Sequence, residues 1–347
     1  MSEFCVEKLG LFPQKLAAVR EARNGIVDTS YPVSVELSLT DKCNFECDWC
    51  SDLMLRAKQN GHMQERVVYS LLDDLAEGGT KGVVIEGGGE PTLHKSFANI
   101  TRRIGETGMA AGLITNGSKF DYEDVFGVFE WVRVSLDVSS PAQMNELKSR
   151  QKAMFDRVIA NIERMARLKT HTVLGVSYII TRKTREGIAE MVQQLRDMGV
   201  DYVQIKPVVG QPQLSLDNYS EFEDLRKYTR DGFKVFVDAL KENTTRGNAG
   251  LPCTAHSLSS IVGANGSVYL CGRLNSYPDW PAIGNINDAS FNEIWNSSER
   301  FRQANLTLDK DFCAAKCPEC RLTKFNVALD KGEDLTPPDD VKTPNFI

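Results

Sequence analysis

Three cysteines stand close together early in the chain, as Cys43-x3-Cys47-x2-Cys50. Thiolates spaced this tightly on one loop can converge on a single metal centre. Three is one short of the four that usually hold an iron–sulfur cluster, so one iron would stay open. An open iron can bind the amino and carboxylate groups of a small molecule and pass it an electron. Two plainer readings compete. One is a zinc site, which prefers four protein ligands or three plus water. The other is three unrelated buried cysteines.

A second group lies in the last third of the chain: Cys253-x17-Cys271, then Cys313-x3-Cys317-x2-Cys320. Asn265-Gly266 suits a hairpin turn that would bring Cys253 and Cys271 near each other. Four thiolates would close a second cluster; paired cysteines at this range also describe zinc ribbons. Cys5 stands alone and no cysteine lies between Cys50 and Cys253, which points to two sites in two modules.

The rest of the composition narrows the class. Hydrophobic residues make up 41% and charged residues 25% of the 347, ordinary for a soluble globular protein. The net charge is −6, which argues against a nucleic-acid partner. No apolar run approaches the roughly 20 residues of a membrane span, and no secretory signal opens the chain. A cytoplasmic location is expected, where cysteines serve as ligands or catalysts rather than disulfides.

The elements that must position these groups alternate in type. Strands are expected at Val33–Thr40, Gly82–Gly87, Ala111–Thr115, Trp131–Val138, Thr172–Ile180 and Tyr202–Pro207. Helices are expected at Gln64–Glu77, Ser96–Thr107, Ser140–Leu168, Glu186–Met198 and Ser220–Leu240. Ser140-Pro141 has the form of an N-cap followed by proline at N1. Such alternation implies an α/β fold, a partial (β/α)6 TIM-like barrel, followed by a small cysteine-rich α+β module. The expected divisions are an N-terminal extension at 1–32, the barrel at 33–249, the module at 250–325 and an extended or mobile tail at 326–347. Active sites of such barrels form at the C-terminal strand ends. Thr40, Gly88, Asn116 and Asp137 sit at such ends.

The octapeptide Cys43-Asn-Phe-Glu-Cys47-Asp-Trp-Cys50 resembles the signature of the radical S-adenosylmethionine superfamily, in which an aromatic residue precedes the third cysteine; Trp49 fills that place. The resemblance spans Val33 to about Val208 and implies a [4Fe–4S] cluster, S-adenosylmethionine and that family's partial barrel. Gly88-Gly89-Glu90 resembles the family's Gly-Gly-Glu, which implies close backbone approach to the cofactor and a hydrogen bond from its ammonium group to Glu90. Asn116 either touches the cofactor or only makes the turn. Ser135 and Asp137 resemble residues that hold the ribose hydroxyls, with Asp137 alternatively facing the substrate. Arg150 resembles an arginine that pairs with the methionine carboxylate. Trp49 packs on adenine or shields the cluster from water.

The C-terminal cysteines, with Asn265-Gly266-Ser267-Val268-Tyr269-Leu270-Cys271, Gly284-Asn285-Ile286 and Ile294-Trp295, resemble the superfamily's auxiliary-cluster extensions, SPASM in the longer form and twitch in the shorter. The longer form's further cysteines are missing. The resemblance therefore implies one auxiliary cluster, on Cys253, Cys271, Cys317 and Cys320, and so two [4Fe–4S] clusters in all. Cys313 is left as a spare thiol, a substitute ligand or a hydrogen-atom donor.

What this machinery implies is cleavage of S-adenosylmethionine to a 5′-deoxyadenosyl radical that abstracts a hydrogen atom from substrate. The expected substrate is a polar small molecule (sugar, aminocyclitol or nucleoside sugar), oxidised or epimerised at a carbinol carbon. A short ribosomal peptide or a protein side chain is the alternative, and a non-catalytic redox protein a minor one. A flavodoxin or ferredoxin is the implied electron donor. Asp137, Arg133, Tyr178 and Lys206, all placed on strands, are candidates for the base. Of the four histidines, His94 is nearest the Gly-Gly-Glu segment.

Overall fold

The alternating runs do become parallel strands. In the computed structural model, which describes residues 6–53, 60–208, 211–237, 250–271, 280–316, 322–337, 341 and 343–346, helix α1 (Pro13–Ala22) precedes the first of them. Strands β1 (Ser34–Leu37), β2 (Gly82–Ile85), β3 (Ala110–Thr115), β4 (Phe129–Ser135), β5 (Val173–Ile180) and β6 (Tyr202–Pro207) then pair side by side in sequence order, all parallel. Helices α2 (Glu65–Glu77), α3 (Phe97–Glu106), α4 (Ala153–Leu168) and α5 (Ile188–Asp197) connect them. This is a mixed α/β fold of the partial-barrel kind.

Strand periodicity sorts the side chains. Val132, Val134 and Leu136 are wholly buried on the helix side. Trp131, Arg133 and Ser135 alternate with them and turn to the inner side. Two glycines make room there. A Cβ on Gly112 would stand 2.5 Å from the Trp131 ring, and one on Gly175 would stand 2.0 Å from the Tyr202 ring.

Three expectations are corrected. The last helix, Ser220–Leu240, is instead a 3-10 turn over Ser220–Tyr228 followed by a seventh strand, β7 (Lys234–Phe236), parallel to β6. Asp231-Gly232, with Gly232 at φ +79°, breaks the helical pattern, and Arg230 and Phe233 close a short antiparallel bridge around it. The helix Ser140–Leu168 is also interrupted. Ser140 caps a short turn, Pro141–Met144, with its side chain accepting from Gln143 N. A π-helical turn then spans Asn145–Ser149, and Arg150 adopts a left-handed φ of +57°. The Leu147 and Lys148 carbonyls bond to Asp48 N and Glu46 N at 3.0 and 2.7 Å, so they serve the cysteine loop as well.

The tail is the third correction, for it is packed at Leu335, Thr343 and Phe346, while residues 331–334 and 336 are exposed. Phe346 is buried edge-to-face against Trp131, with ring centroids 5.5 Å apart. Lys8 Nζ donates to the Thr343 carbonyl and hydroxyl, each at 2.9 Å, and Asn345 Nδ2 donates to Glu130 at 2.9 Å. Gly82, at the start of β2, lies under Asn345 and Phe346. The segment thus closes the N-terminal end of the strands.

The C-terminal module continues the barrel sheet. Strand β8 (Ser259–Val262) runs parallel to β1, with Ser34 opposite Ser259, and β9 (Ser267–Tyr269) and β10 (Gly284–Asn285) follow antiparallel. Among the described residues one ten-stranded sheet results, in the order β10-β9-β8-β1-β2-β3-β4-β5-β6-β7. The Asn265-Gly266 turn forms as expected, with Gly266 at φ +87°. Helices α6 (Phe291–Trp295), α7 (Ser298–Leu306), α8 (Lys310–Lys316) and α9 (Thr323–Lys331) complete the module. Its core joins Leu9 and Val19 of the N-terminal extension to Ala255, Leu258, Phe325 and Leu329. The extension is part of that packing, and α9 runs across the expected boundary at residue 325.

Candidate active site

The cysteine loop leaves β1 and is tied down on both sides. Asp41 N donates to Gly61 O, and Gly61 N donates back to Asp41 Oδ2 at 2.6 Å. On the other side stand the bonds to Leu147 and Lys148. The glycine-rich end of β2 presses close: a Cβ on Gly89 would stand 2.1 Å from Lys42 O, while Gly89 N and Glu90 N donate to Thr40 O and Lys42 O. That approach requires glycine.

Cys43, Cys47 and Cys50 therefore sit on one braced loop. Phe45 N donates to Cys43 Sγ at 3.4 Å, and Asn116 Nδ2 stands 3.9 Å from the same sulfur. Burial pushes the Cys47 thiol up to about 12, with the Lys148 ammonium pulling the other way. Among the described residues no three His, Cys, Asp or Glu side chains already form a single-ion site. A [4Fe–4S] cluster does not need one, because each cysteine binds a different iron. Three thiols on one loop with N–H donors at the sulfur fit such a group, since those donors offset the charge of bound thiolates. Cys253 shows the same feature, accepting from Asn326 Nδ2 at 3.3 Å. Cys271 ends the β9 segment that Asn265-Gly266 turns back. Cys317 and Cys320 lie outside the described residues, and Cys313 is on α8 with its side chain outside them.

Glu90 is wholly enclosed. Its Oε1 accepts from Thr92 Oγ1 and Thr115 Oγ1, each at 2.6 Å, and from Thr92 N at 3.2 Å; its Oε2 accepts from Asn116 N at 2.7 Å. Burial raises its pKa, against the pull of these four donors. The carboxylate expected to meet the cofactor's ammonium group thus pins the ends of β2 and β3 to each other. Asn116 links this knot to the cysteine loop: Nδ2 donates to Asn44 Oδ1 at 2.9 Å, and Oδ1 accepts from Ser118 N. Trp49 is buried in the main core, against which Cys43 and Cys47 pack. Gly88 is buried beside Glu90.

The remaining sequence candidates divide. Asp137 lies just past β4 in a left-handed conformation, φ +60°, and is buried. Its Oδ2 pairs with Lys148 Nζ at 2.9 Å and its Oδ1 accepts from Ile179 N at 2.9 Å. A carboxylate so engaged braces the strand end. Tyr178 is on the helix side of β5, its hydroxyl donating to Thr184 O at 2.9 Å. Burial raises its phenol further. Arg133 and Ser135 are on the inner side, as is Lys206 by strand alternation. Arg150 is more than half exposed and pairs with Asp48 and Glu46 of the cysteine loop, at 3.5 and 3.8 Å. His94 is buried, its Nε2 2.8 Å from Met63 O, and stacks on His62 at 4.3 Å.

Lys148 escaped the sequence reading. Its ammonium group, almost wholly buried, also donates to the Leu136 and Ser135 carbonyls and lies 5.7 Å from the Phe45 ring centroid. It joins β4 to the cysteine loop. Its only sequence signal is a lysine in what looked like a continuous helix.

Comparison with known proteins gives the same two modules. The Radical SAM superfamily model matches residues 37–195, and the SPASM iron-sulfur cluster-binding domain model matches residues 253–321. The chain is 23% identical over 319 residues to the tungsten-containing aldehyde ferredoxin oxidoreductase cofactor-modifying protein of Pyrococcus furiosus, covering 82% of this chain and 86% of that one. It is 23% identical over 322 residues to Fe-coproporphyrin III synthase of Methanosarcina barkeri, covering 83% and 79%. Streptococcus suis SuiB bound to its precursor peptide SuiA superposes with a TM-score of 0.64 at 16% identity, over 83% of this chain and 69% of that one. SuiB has also been solved bound to S-adenosylmethionine. The two domains imply [4Fe–4S] clusters and S-adenosylmethionine as cofactors. No helix among the described residues is long and apolar enough to cross a membrane. The chain belongs to the radical SAM superfamily, with a SPASM/twitch iron–sulfur domain at its C-terminal end.

Proposed function

We propose that the protein abstracts a hydrogen atom from a polar small molecule (a sugar, aminocyclitol or nucleoside sugar) and so oxidises or epimerises it at a carbinol carbon. The observation that carries this reading is the polar wall on the inner side of β4, β5 and β6. Arg133 Nη1 donates to Gln204 Oε1 at 3.3 Å, and Ser177 Oγ lies 3.4 Å from Ser135 Oγ. Arg133 Nε is buried with no hydrogen-bond partner among the described residues. The wall thus keeps donor capacity for a hydroxyl-rich ligand.

Cys43, Cys47 and Cys50 would hold the first cluster, and Cys253, Cys271, Cys317 and Cys320 the second. When bound, the first cluster supplies the electron that cleaves S-adenosylmethionine to the hydrogen-abstracting radical, with a flavodoxin or ferredoxin as proposed donor; in an oxidation the second cluster would take the remaining electron as the hydroxyl proton leaves, and in an epimerisation the Cys313 thiol would return a hydrogen atom. The chain's own residues hold and orient. Asn116, Glu90 and Lys148 fix the loop and strand ends, and Gly88 and Gly89 allow close approach. Ser135 faces the inner side with Arg133, which cannot lose its proton and therefore orients. Lys206, on the same inner side, is the proposed acceptor of the substrate hydroxyl proton.

The test is anaerobic turnover with sugars, aminocyclitols and nucleosides deuterated at their carbinol carbons. Deuterium in 5′-deoxyadenosine from one of them, lost in Arg133→Met and Lys206→Met, is the expected result. Deuterium transfer from peptides only would overturn the reading.

A further inference from the structure

A second polar cluster lies away from the barrel wall, between the end of the N-terminal extension and the SPASM module. There Ala22, Ile26 and Val27 face Thr254, His256 and Arg300 across a small cleft that opens to solvent. Arg300, on α7, is 1% exposed. Its guanidinium stacks 4.3 Å from the Trp295 ring centroid, and its Nη1 donates to the Asp28 carbonyl at 2.5 Å. Its Nε and Nη2 are buried and have no hydrogen-bond partner among the described residues.

Those two nitrogens point their hydrogens along one edge of the guanidinium plane. That edge is the side-on fork that takes a carboxylate or phosphate through two parallel hydrogen bonds. The nearest carboxylate does not fill it. Asp28 accepts from Lys15 Nζ at 2.7 Å through Oδ2, and from Ser30 N and Oγ at 2.9 and 2.5 Å through Oδ1. Burial drives the His256 imidazole down to about 3, so it is neutral. Two cations, Lys15 and Arg300, thus share one anion. A buried charge without a partner is among the costlier features a fold can carry. Thr254 Oγ1 and His256 Nδ1, also buried and without a partner among the described residues, line the same cleft. The mouth is apolar, with Ile26 and Val27 exposed.

We propose that this cleft binds a small oxyanion, a carboxylate or a phosphate, held side-on by Nε and Nη2 of Arg300. Thr254 and His256 supply further polar contacts, and the apolar mouth accommodates an organic body. The ligand bridges the N-terminal extension to the SPASM module, one residue from Cys253. The site does not depend on the reaction proposed above.

The experiment is calorimetric titration of the cluster-loaded full-length protein at fixed ionic strength, with inorganic phosphate in one arm and butyrate in the other, against a chloride control. Saturable binding of either is expected, and which arm binds identifies the source. Arg300→Lys, which keeps the charge and loses the fork, should weaken binding by roughly tenfold or more. Should that variant fold poorly, Ile26→Glu decides, because it places a negative charge at an exposed position on the mouth and should weaken binding to a similar degree. Absence of saturable heat at millimolar concentrations of both anions overturns the proposal. So does binding that Ile26→Glu and a folded Arg300→Lys leave unchanged.

Discussion

Lys148 holds its ammonium group 2.9 Å from the Asp137 carboxylate, with both side chains almost wholly buried. The pair sits where β4 ends and the cysteine loop is anchored, so it couples barrel geometry to the first cluster's position. Lys148→Met would leave the Asp137 charge uncompensated. The expected loss is about 3–5 kcal/mol in denaturant unfolding, with reduced iron retention at the first cluster. Adding Asp137→Leu should recover part of it, because the double change removes both buried charges.

Glu90→Gln tests the knot between β2 and β3. An amide cannot accept from four donors as the carboxylate does, so a loss of about 1–3 kcal/mol is expected. Weaker S-adenosylmethionine binding should accompany it. The pH dependence follows from the raised pKa of Glu90. A raised folded-state pKa means the native state holds its proton longer than the unfolded chain. The stability contributed is therefore full below the ordinary glutamate value of 4.5 and is lost as pH rises through the folded value. Urea titrations across that window should show a flatter slope for Glu90→Gln than for wild type.

Metal counting separates the two cysteine groups. After anaerobic reconstitution, about eight irons are expected in wild type and about four in Cys43→Ala/Cys47→Ala/Cys50→Ala, as two four-iron clusters require. Only the wild type should release 5′-deoxyadenosine. Zinc retained at the C-terminal cysteines, with about four irons in wild type, would make that site structural.

Phe346→Ala checks the docked tail. Losing the buried ring and its contact with Trp131 should cost about 3 kcal/mol in unfolding free energy. Iron content at the cysteine loop should be unchanged, because Phe346 contacts the opposite end of the strands.

What the sequence determined by itself was the chemistry-bearing register and the order of elements. Cys43, Cys47 and Cys50 are local in the chain, and a strand before them with strand–helix alternation after is carried by short-range periodicity. β6 was legible residue for residue, and β5 nearly so, because β5 is a mostly apolar run and β6 alternates apolar with polar residues, each bounded by turn residues. The tertiary structure decided everything that depends on distant partners. Asn145–Ser149 leaves the α-helical form where Leu147 and Lys148 bond to the cysteine loop about a hundred positions earlier. Asp137 resembled a residue reaching for a ligand, and only the tertiary structure shows that it also meets Lys148 and Ile179 N. Glu90 resembled a cofactor ligand, and only the tertiary structure shows that it also gathers Thr92, Thr115 and Asn116. Phe346 and the N-terminal Leu9 look like terminal extras, and only packing shows one closing the strand ends and the other filling the SPASM module's core. Local pattern specifies which face of an element is apolar; which buried charge meets which partner is settled only when separated segments are brought together.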